Sequence, residues 1–240
     1  MANLFLFGGA APSGGISGSP NLELWLTDPE NNFDGNNWTD SSGNGNTASE
    51  TTNTPDKNAT GWGGSDYSVD FNGSTDFLNC NGVASLYSGN DKSITVMWAA
   101  QFIATTAARA MWSFGNDSTN TPWVRYALTA TEFELAKTDD TGSGKTPSGG
   151  TADTNRHIFT LTINGTTATL LVDGVAAFTD GDIDVGTTTL TRFSLGCLGR
   201  TTNAALCNCR YKEVAMWSAV LGAGDEATYR ADMLSRCPVS

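Results

Sequence analysis

The stretch 156–178, "RHIFTLTINGTTATLLVDGVAAF", decides how the chain is read. Asn164-Gly165 and Asp173-Gly174 are dipeptides that tolerate positive φ, the requirement of a two-residue hairpin turn. A turn at the first pairs Ile163 with Thr166, Leu161 with Ala168, Phe159 with Leu170, and His157 with Val172. The second pairs Val172 with Val175 and Leu170 with Ala177. One register therefore gathers the apolar side chains onto one face of a three-strand meander. Phe178 is the exception, expected on the other face opposite Thr169.

Outward from the meander the same period of two recurs. In "SITVMWAAQF" Ile94, Val96, Trp98, Ala100 and Phe102 face one way. "TRFSLGC" and "RYKEVAMW" read as two more strands, with Val214 and Met216 alternating with Glu213 and Ala215. The segment "GAGDEATYRADMLSR" predicts one helix, with Asp225 as its cap and Ala227, Ala231 and Leu234 as its buried stripe. It is expected to cover the sandwich. Trp25, Trp98 and Trp217 lie in strand patterns and are assigned to the core.

The 240 residues suit one large all-β domain or two small ones. A formal net charge of −12 removes the electrostatic drive for binding a phosphate backbone, so no nucleic acid is expected as a partner. No run approaches the roughly 20 apolar residues of a membrane span, so no membrane partner is expected either. Leu4-Phe5-Leu6-Phe7 followed by small residues mimics a signal peptide. Such a signal carries a basic n-region, and the first Lys or Arg is Lys57, so the segment is expected to stay in a mature protein made in the cytoplasm. Five cysteines are an odd number for a disulfide framework. They read as small buried side chains, the alternatives being a bridge from Cys207 or Cys209 to Cys237, or zinc on "CNC".

Several stretches, in order, carry a family resemblance: "LELWLTD", "WTDSSGNGNTA", "YSVDFNGSTDFLNC", "SITVMWAAQF", the meander, and "YKEVAMWSAVLGAGDEATY". Together they resemble the laminin-G-like (concanavalin A-like lectin/glucanase) fold. The resemblance implies an all-β jelly-roll sandwich of two antiparallel sheets with one short C-terminal helix. It covers a domain at 21–240 and leaves 1–20 as a Gly/Ser-rich arm.

The family includes glucanases, and hydrolysis needs two carboxylates about 5–9 Å apart across the bond. Glu132 and Glu134 offer no third acid in register and read as solvent-facing acids around buried Phe133 and Leu135, so no enzyme is expected. His157, the single histidine, heads a core strand and is read as structural.

In "WTDSSGNGN" Asp40, Ser42 and Asn44 alternate like calcium ligands. Calcium wants six to eight oxygens, several of them charged, and this run has one carboxylate. A tight turn explains the same residues, because Asp and Asn bond backbone amides two residues on. No cofactor is required on this reading; a structural calcium is the alternative.

A sugar site needs an aromatic platform with amide and carboxylate partners. Trp62 with Asp66, and Trp123 with Asn120, are the candidates, although the usual burial of large aromatics favours core packing of either tryptophan.

The arm joins an apolar plug, Leu4 to Phe7, to a small-residue tether. With the laminin-G-like domain this looks like a bacteriophage virion protein of the capsid-decoration, head-fibre or tail-fibre type. The expectation is a non-enzymatic homo-oligomer on the virion surface, docked on other virion proteins through the arm and able to touch cell-surface polysaccharide. The alternative is a carbohydrate-binding module of an extracellular or cell-surface protein.

Overall fold

The computed structural model describes residues 15–87, 92–105 and 109–239. Two antiparallel sheets enclose the core. The first contains β1 (Leu22–Leu26), β4 (Asp56–Gly63), β5 (Asp66–Asn72), β7 (Lys92–Phe102), β13 (Arg156–Gly165), β14 (Thr167–Val172), β15 (Val175–Asp180) and β17 (Asn208–Trp217). Its order is β15-β14-β13-β7-β17-β5-β4, with β1 also paired to β17. The second contains β2 (Asn37–Trp38), β3 (Ala48–Ser49), β6 (Leu78–Asn79), β8 (Trp112–Gly115), β9 (Trp123–Leu128), β10 (Phe133–Thr138), β11 (Gly144–Lys145), β12 (Ser148–Gly149) and β16 (Arg192–Leu195). Its order is β11-β10-β9-β8-β16-β6-β3-β2, with β12 added to β10. This is the jelly-roll sandwich expected from the sequence.

The meander forms, one turn residue later than the dipeptide rule placed it. Asn164 pairs with Thr167, so Gly165 and Thr166 make the reversal, with Gly165 at φ 61. Positive φ at the first turn position alone is the II′ pattern, which wants glycine there. Leu161 therefore faces Leu170, and Phe159 faces Val172. The slip is two positions, the side-chain repeat of a strand, so the same residues stay on the core face. At Asp173-Gly174 both φ values are positive and Val172 pairs with Val175, as expected. Between Leu170 and Leu171 the register then shifts: Leu171 faces Ala176 and Leu170 faces Phe178. This bulge returns Phe178 to the core side, where it packs half-buried, contrary to the sequence reading.

Trp98 is the centre of the core. Its ring lies 4.7 Å from that of Tyr126, 5.2 Å from Phe159 and 5.5 Å from Trp112, which ties β7 and β13 of one sheet to β8 and β9 of the other. Offset and edge-to-face pairs of this kind add about 0.5–1.5 kcal/mol each beyond burial.

The outer face of the first sheet is also apolar. Met97, Ala99, Ile158, Ala215 and Trp217 form a second cluster there with Tyr229 and Met233 of α2 (Ala223–Arg236), which follows the single-turn α1 (Pro29–Asn32) in chain order. The helix was expected, but on the wrong face. Tyr229 and Met233, one turn apart, are buried, whereas Leu234 is 41 % exposed and Ala227 and Ala231 are exposed. Two large side chains bury more area than the two alanines and Leu234 could, and that sets the rotation. The N-cap is Gly222, with no side-chain cap from Asp225.

Ile16 is fully buried in this second cluster, its amide donating to Asp232 Oδ2 at 2.9 Å. Trp217 Nε1 donates to Ser19 Oγ at 2.8 Å. The boundary drawn between residues 20 and 21 thus falls inside the folded unit. Leu4, Phe5, Leu6 and Phe7 lie outside the described residues. The five cysteines are buried and unbridged. Cys207 and Cys209 sit in the core between the sheets and Cys237 under α2, on opposite faces of the first sheet, so the bridge does not form. Among the described residues no helix is long and apolar enough to cross a membrane.

Candidate functional site

The four candidate sugar contacts separate into two regions. Trp62 is 1 % exposed and lies in the cluster under α2 with Met97, Ala99 and Ile158. The pairing of β4 with β5 breaks between Asn58 and Gly63, and Gly61 there accepts a bond from Arg210. Trp62 is thereby turned onto the outer face of the first sheet, and the Arg156 guanidinium lies 5.6 Å from its ring centre. It offers no ring face to a ligand, which corrects the platform reading. Asp66 is half-exposed and stands 3.7 Å from Lys212 Nζ. It lines a polar cleft of about 500 Å³ with Thr27, Asp28, Lys212, Glu213 and Arg236. There it does not meet Asn120 or Trp123.

Trp123 and Asn120 stay together on the second sheet. In "WVRY" alternation sends Val124 and Tyr126 into the core, so Trp123 and Arg125 share the outer face. Trp123 is half-buried, and Arg125 stacks over its ring at 5.3 Å. Trp123 pairs with Thr138 and Arg125 with Ala136, which brings Glu134 diagonally opposite Arg125, with Nη2 and Oε1 3.5 Å apart. Burial lowers the pKa of Arg125, and Glu134 opposes that shift. Asn120 is exposed on the loop that leads into β9.

The loop between β16 and β17 walls this surface. Gly199 N donates to Ser113 Oγ, which donates to Cys197 O, at 2.8 and 2.9 Å. Leu198 and Ala204 exchange backbone bonds, closing a small reversal. A Cβ on Gly115 would stand 2.0 Å from Gly199 O, so only glycine lets the loop lie this close. Arg192 Nη1 donates to Arg200 O and Asn203 Oδ1 at 3.0 and 3.1 Å. Arg200 is held half-buried near Arg125. Arg125 and Glu134 could have been found from the two-residue spacing around Trp123. Arg200 had no such signal.

Glu132 accepts a bond from Ser148 Oγ at 2.7 Å, and Glu134 is committed to Arg125. Both are half-buried rather than solvent-facing, around buried Phe133 and Leu135. His157 bridges two carboxylates, with Nδ1 2.7 Å from Asp173 and Nε2 2.9 Å from Asp153. Burial would lower its pKa, but the bonds to Asp173 and Asp153 outweigh that and the net shift is upward.

Asp40, Ser42 and Asn44 form a knot of protein contacts. The Asp40 carboxylate accepts from the amides of Trp25, Ser42 and Asn46 and from Ser42 Oγ, all within 2.9 Å. Asn44 Nδ2 donates to Leu22 O and Asn46 Nδ2 to Glu23 O. These contacts stitch the loop to β1, as a turn does.

Among known proteins the likeness is structural. No protein-family model and no curated protein matches the chain. Domain 4 of AbnA, a GH43 extracellular arabinanase from Geobacillus stearothermophilus solved with arabinotriose, is 14% identical with a TM-score of 0.64, over 88% of this chain and 98% of that one. The CBM40 of Ruminococcus gnavus IT-sialidase, bound to alpha2,3 sialyllactose, is 13% identical with a TM-score of 0.51, over 68% and 92%. NanB sialidase from Streptococcus pneumoniae is 14% identical with a TM-score of 0.55 over 67% of this chain, which spans only 27% of that protein. What fold and likeness define is the architecture, an antiparallel β-sandwich shared with these domains.

Proposed function

We propose that the chain is a non-catalytic carbohydrate-binding module that holds a saccharide on the outer face of its second sheet. Trp123 supplies the apolar ring surface, and Asn120, Arg125 and Glu134 supply directed hydrogen bonds. The observation that carries this reading is the pairing of a half-buried indole with charged groups on the outer face of the second sheet. It is supported by a sandwich shared with domains solved holding arabinotriose and sialyllactose. Binding rather than hydrolysis is favoured because Glu132 and Glu134 are each already engaged by a protein side chain. An extracellular setting is supported by the arabinanase likeness. The narrower virion-surface setting draws its support from the composition of the arm at Leu4–Phe7. A structural calcium at Asp40 stays a subordinate proposal.

The test is a glycan array followed by titration of the best binder. Trp123→Ala is expected to weaken binding at least tenfold while leaving the circular dichroism unchanged. Trp62→Ala is expected to leave the affinity of the folded fraction intact. An array without any bound saccharide, or unchanged affinity in Trp123→Ala, would overturn the proposal.

A further inference from the structure

The outer face of the second sheet holds more positive charge than its neighbourhood consumes. Among the described residues at least seven Lys and Arg side chains pair with a carboxylate. Arg200 does not: among the described residues no carboxylate stands within ion-pair distance of it, and its buried Nε has no hydrogen-bond partner. A half-buried guanidinium without an acid is costly in a chain carrying 25 Asp and Glu, where partners are plentiful. Yet the loop is built to hold it. The Gly199–Ser113 bond, the Leu198–Ala204 reversal and the Arg192 bond to Arg200 O fix the backbone on either side. Arg192, on the strand beneath, adds a third guanidinium. Against these three stand Glu134, held by Arg125, and Asp117, held by Thr191.

We infer that the saccharide bound at Trp123 is an acidic one, whose carboxylate docks on Arg200 with Arg125 alongside. The inference rests on the carbohydrate-binding reading above and names its ligand class. A sugar ring lying on the Trp123 indole brings its substituents toward the wall formed by the Gly199-Arg200 backbone. A guanidinium meets a carboxylate through two parallel N–H···O bonds, a planar match that selects a uronic or sialic acid over a neutral hexose.

The experiment is calorimetric titration of the full chain with matched pairs: trigalacturonic acid against its methyl ester, and 3′-sialyllactose against lactose. The acidic member of at least one pair is expected to bind at least tenfold tighter, the difference shrinking with added salt. Arg200→Gln should abolish the difference while keeping the affinity for the neutral member. Arg200→Lys, which keeps the charge without the fork, should retain part of it. Equal affinity within both pairs, or an acid preference that survives Arg200→Gln, overturns the inference. If Arg200→Gln does not fold, the paired comparison on the unaltered chain decides alone. Equal binding of acidic and neutral sugars that is lost in Trp123→Ala would sink the inference and leave the carbohydrate-binding reading standing. No binding by any saccharide on the array would sink both.

Discussion

The two outer faces of this sandwich have opposite fates. On the first sheet Met97, Ala99, Ile158 and Ala215 make an apolar outer face, and Trp62, Trp217, α2 and Ile16 close over it. On the second sheet the outer face carries Ser113, Trp123, Arg125, Glu134 and Ser194; the loop between β16 and β17 buries Ser113 and Ser194 and leaves Trp123, Arg125 and Glu134 partly exposed beside it. A tryptophan therefore means different things on the two sides. Trp217, stacked on Tyr229 at 5.5 Å, is structure; Trp123, half-buried and stacked on a charged side chain, is the ring that the proposed function assigns to a ligand.

The largest expected effect breaks the closed side. Trp217→Ala removes a fully buried indole and its bond to Ser19, and should destabilise the fold by about 3–5 kcal/mol. Trp123→Ala should cost under about 1 kcal/mol, as half-exposed positions do. Chemical denaturation of the two variants checks the contrast, and equal losses would erase the distinction between the faces.

Asp40→Ala should come next. It strands four donors that converge on one carboxylate, so a loss of roughly 2–3 kcal/mol is expected. EDTA should shift the melting temperature of the unaltered chain by less than about 2 °C, a change of no more than about 1 kcal/mol. A large drop that calcium reverses would install an ion in the loop.

A smaller effect concerns His157. Its folded pKa lies above the ordinary 6.5, so its bonds to Asp173 and Asp153 contribute fully below about pH 6.5. That contribution should fade as pH rises through the elevated folded value. The melting temperature of His157→Gln, compared with the parent between pH 5.5 and 8.5, should differ most at the acidic end. A gap that widens toward alkaline pH would contradict the carboxylate clamp.

The strand pattern was legible because a period of two needs no tertiary information: Ile94 through Phe102 and the meander faces follow from alternation alone. Phe178 was misread because one bulge residue, invisible in the sequence, inverts every side chain beyond it. Trp62 became a platform candidate because its turn-rich surroundings suggest exposure, while the burial that large aromatics favour is completed here by a helix at the far end of the chain. The same remoteness hid the helix's true face. Tyr229 and Met233 stand out once the apolar sheet beneath them is known. At the site, Trp123 and Asn120 could be read locally. Arg200 could not, since Gly115 and Ser113 fix where its loop lies.

The most direct test of the proposed ligand site on the second face is an amide and indole NMR map of the chain titrated with the tightest saccharide from the array. The account predicts shifts at the Trp123 indole N–H, along β9 and β10, and in the loop around Arg200, with the Trp62 and Trp217 indoles unmoved. Shifts confined to the cleft around Asp66 and Lys212, or none at Trp123, would contradict it.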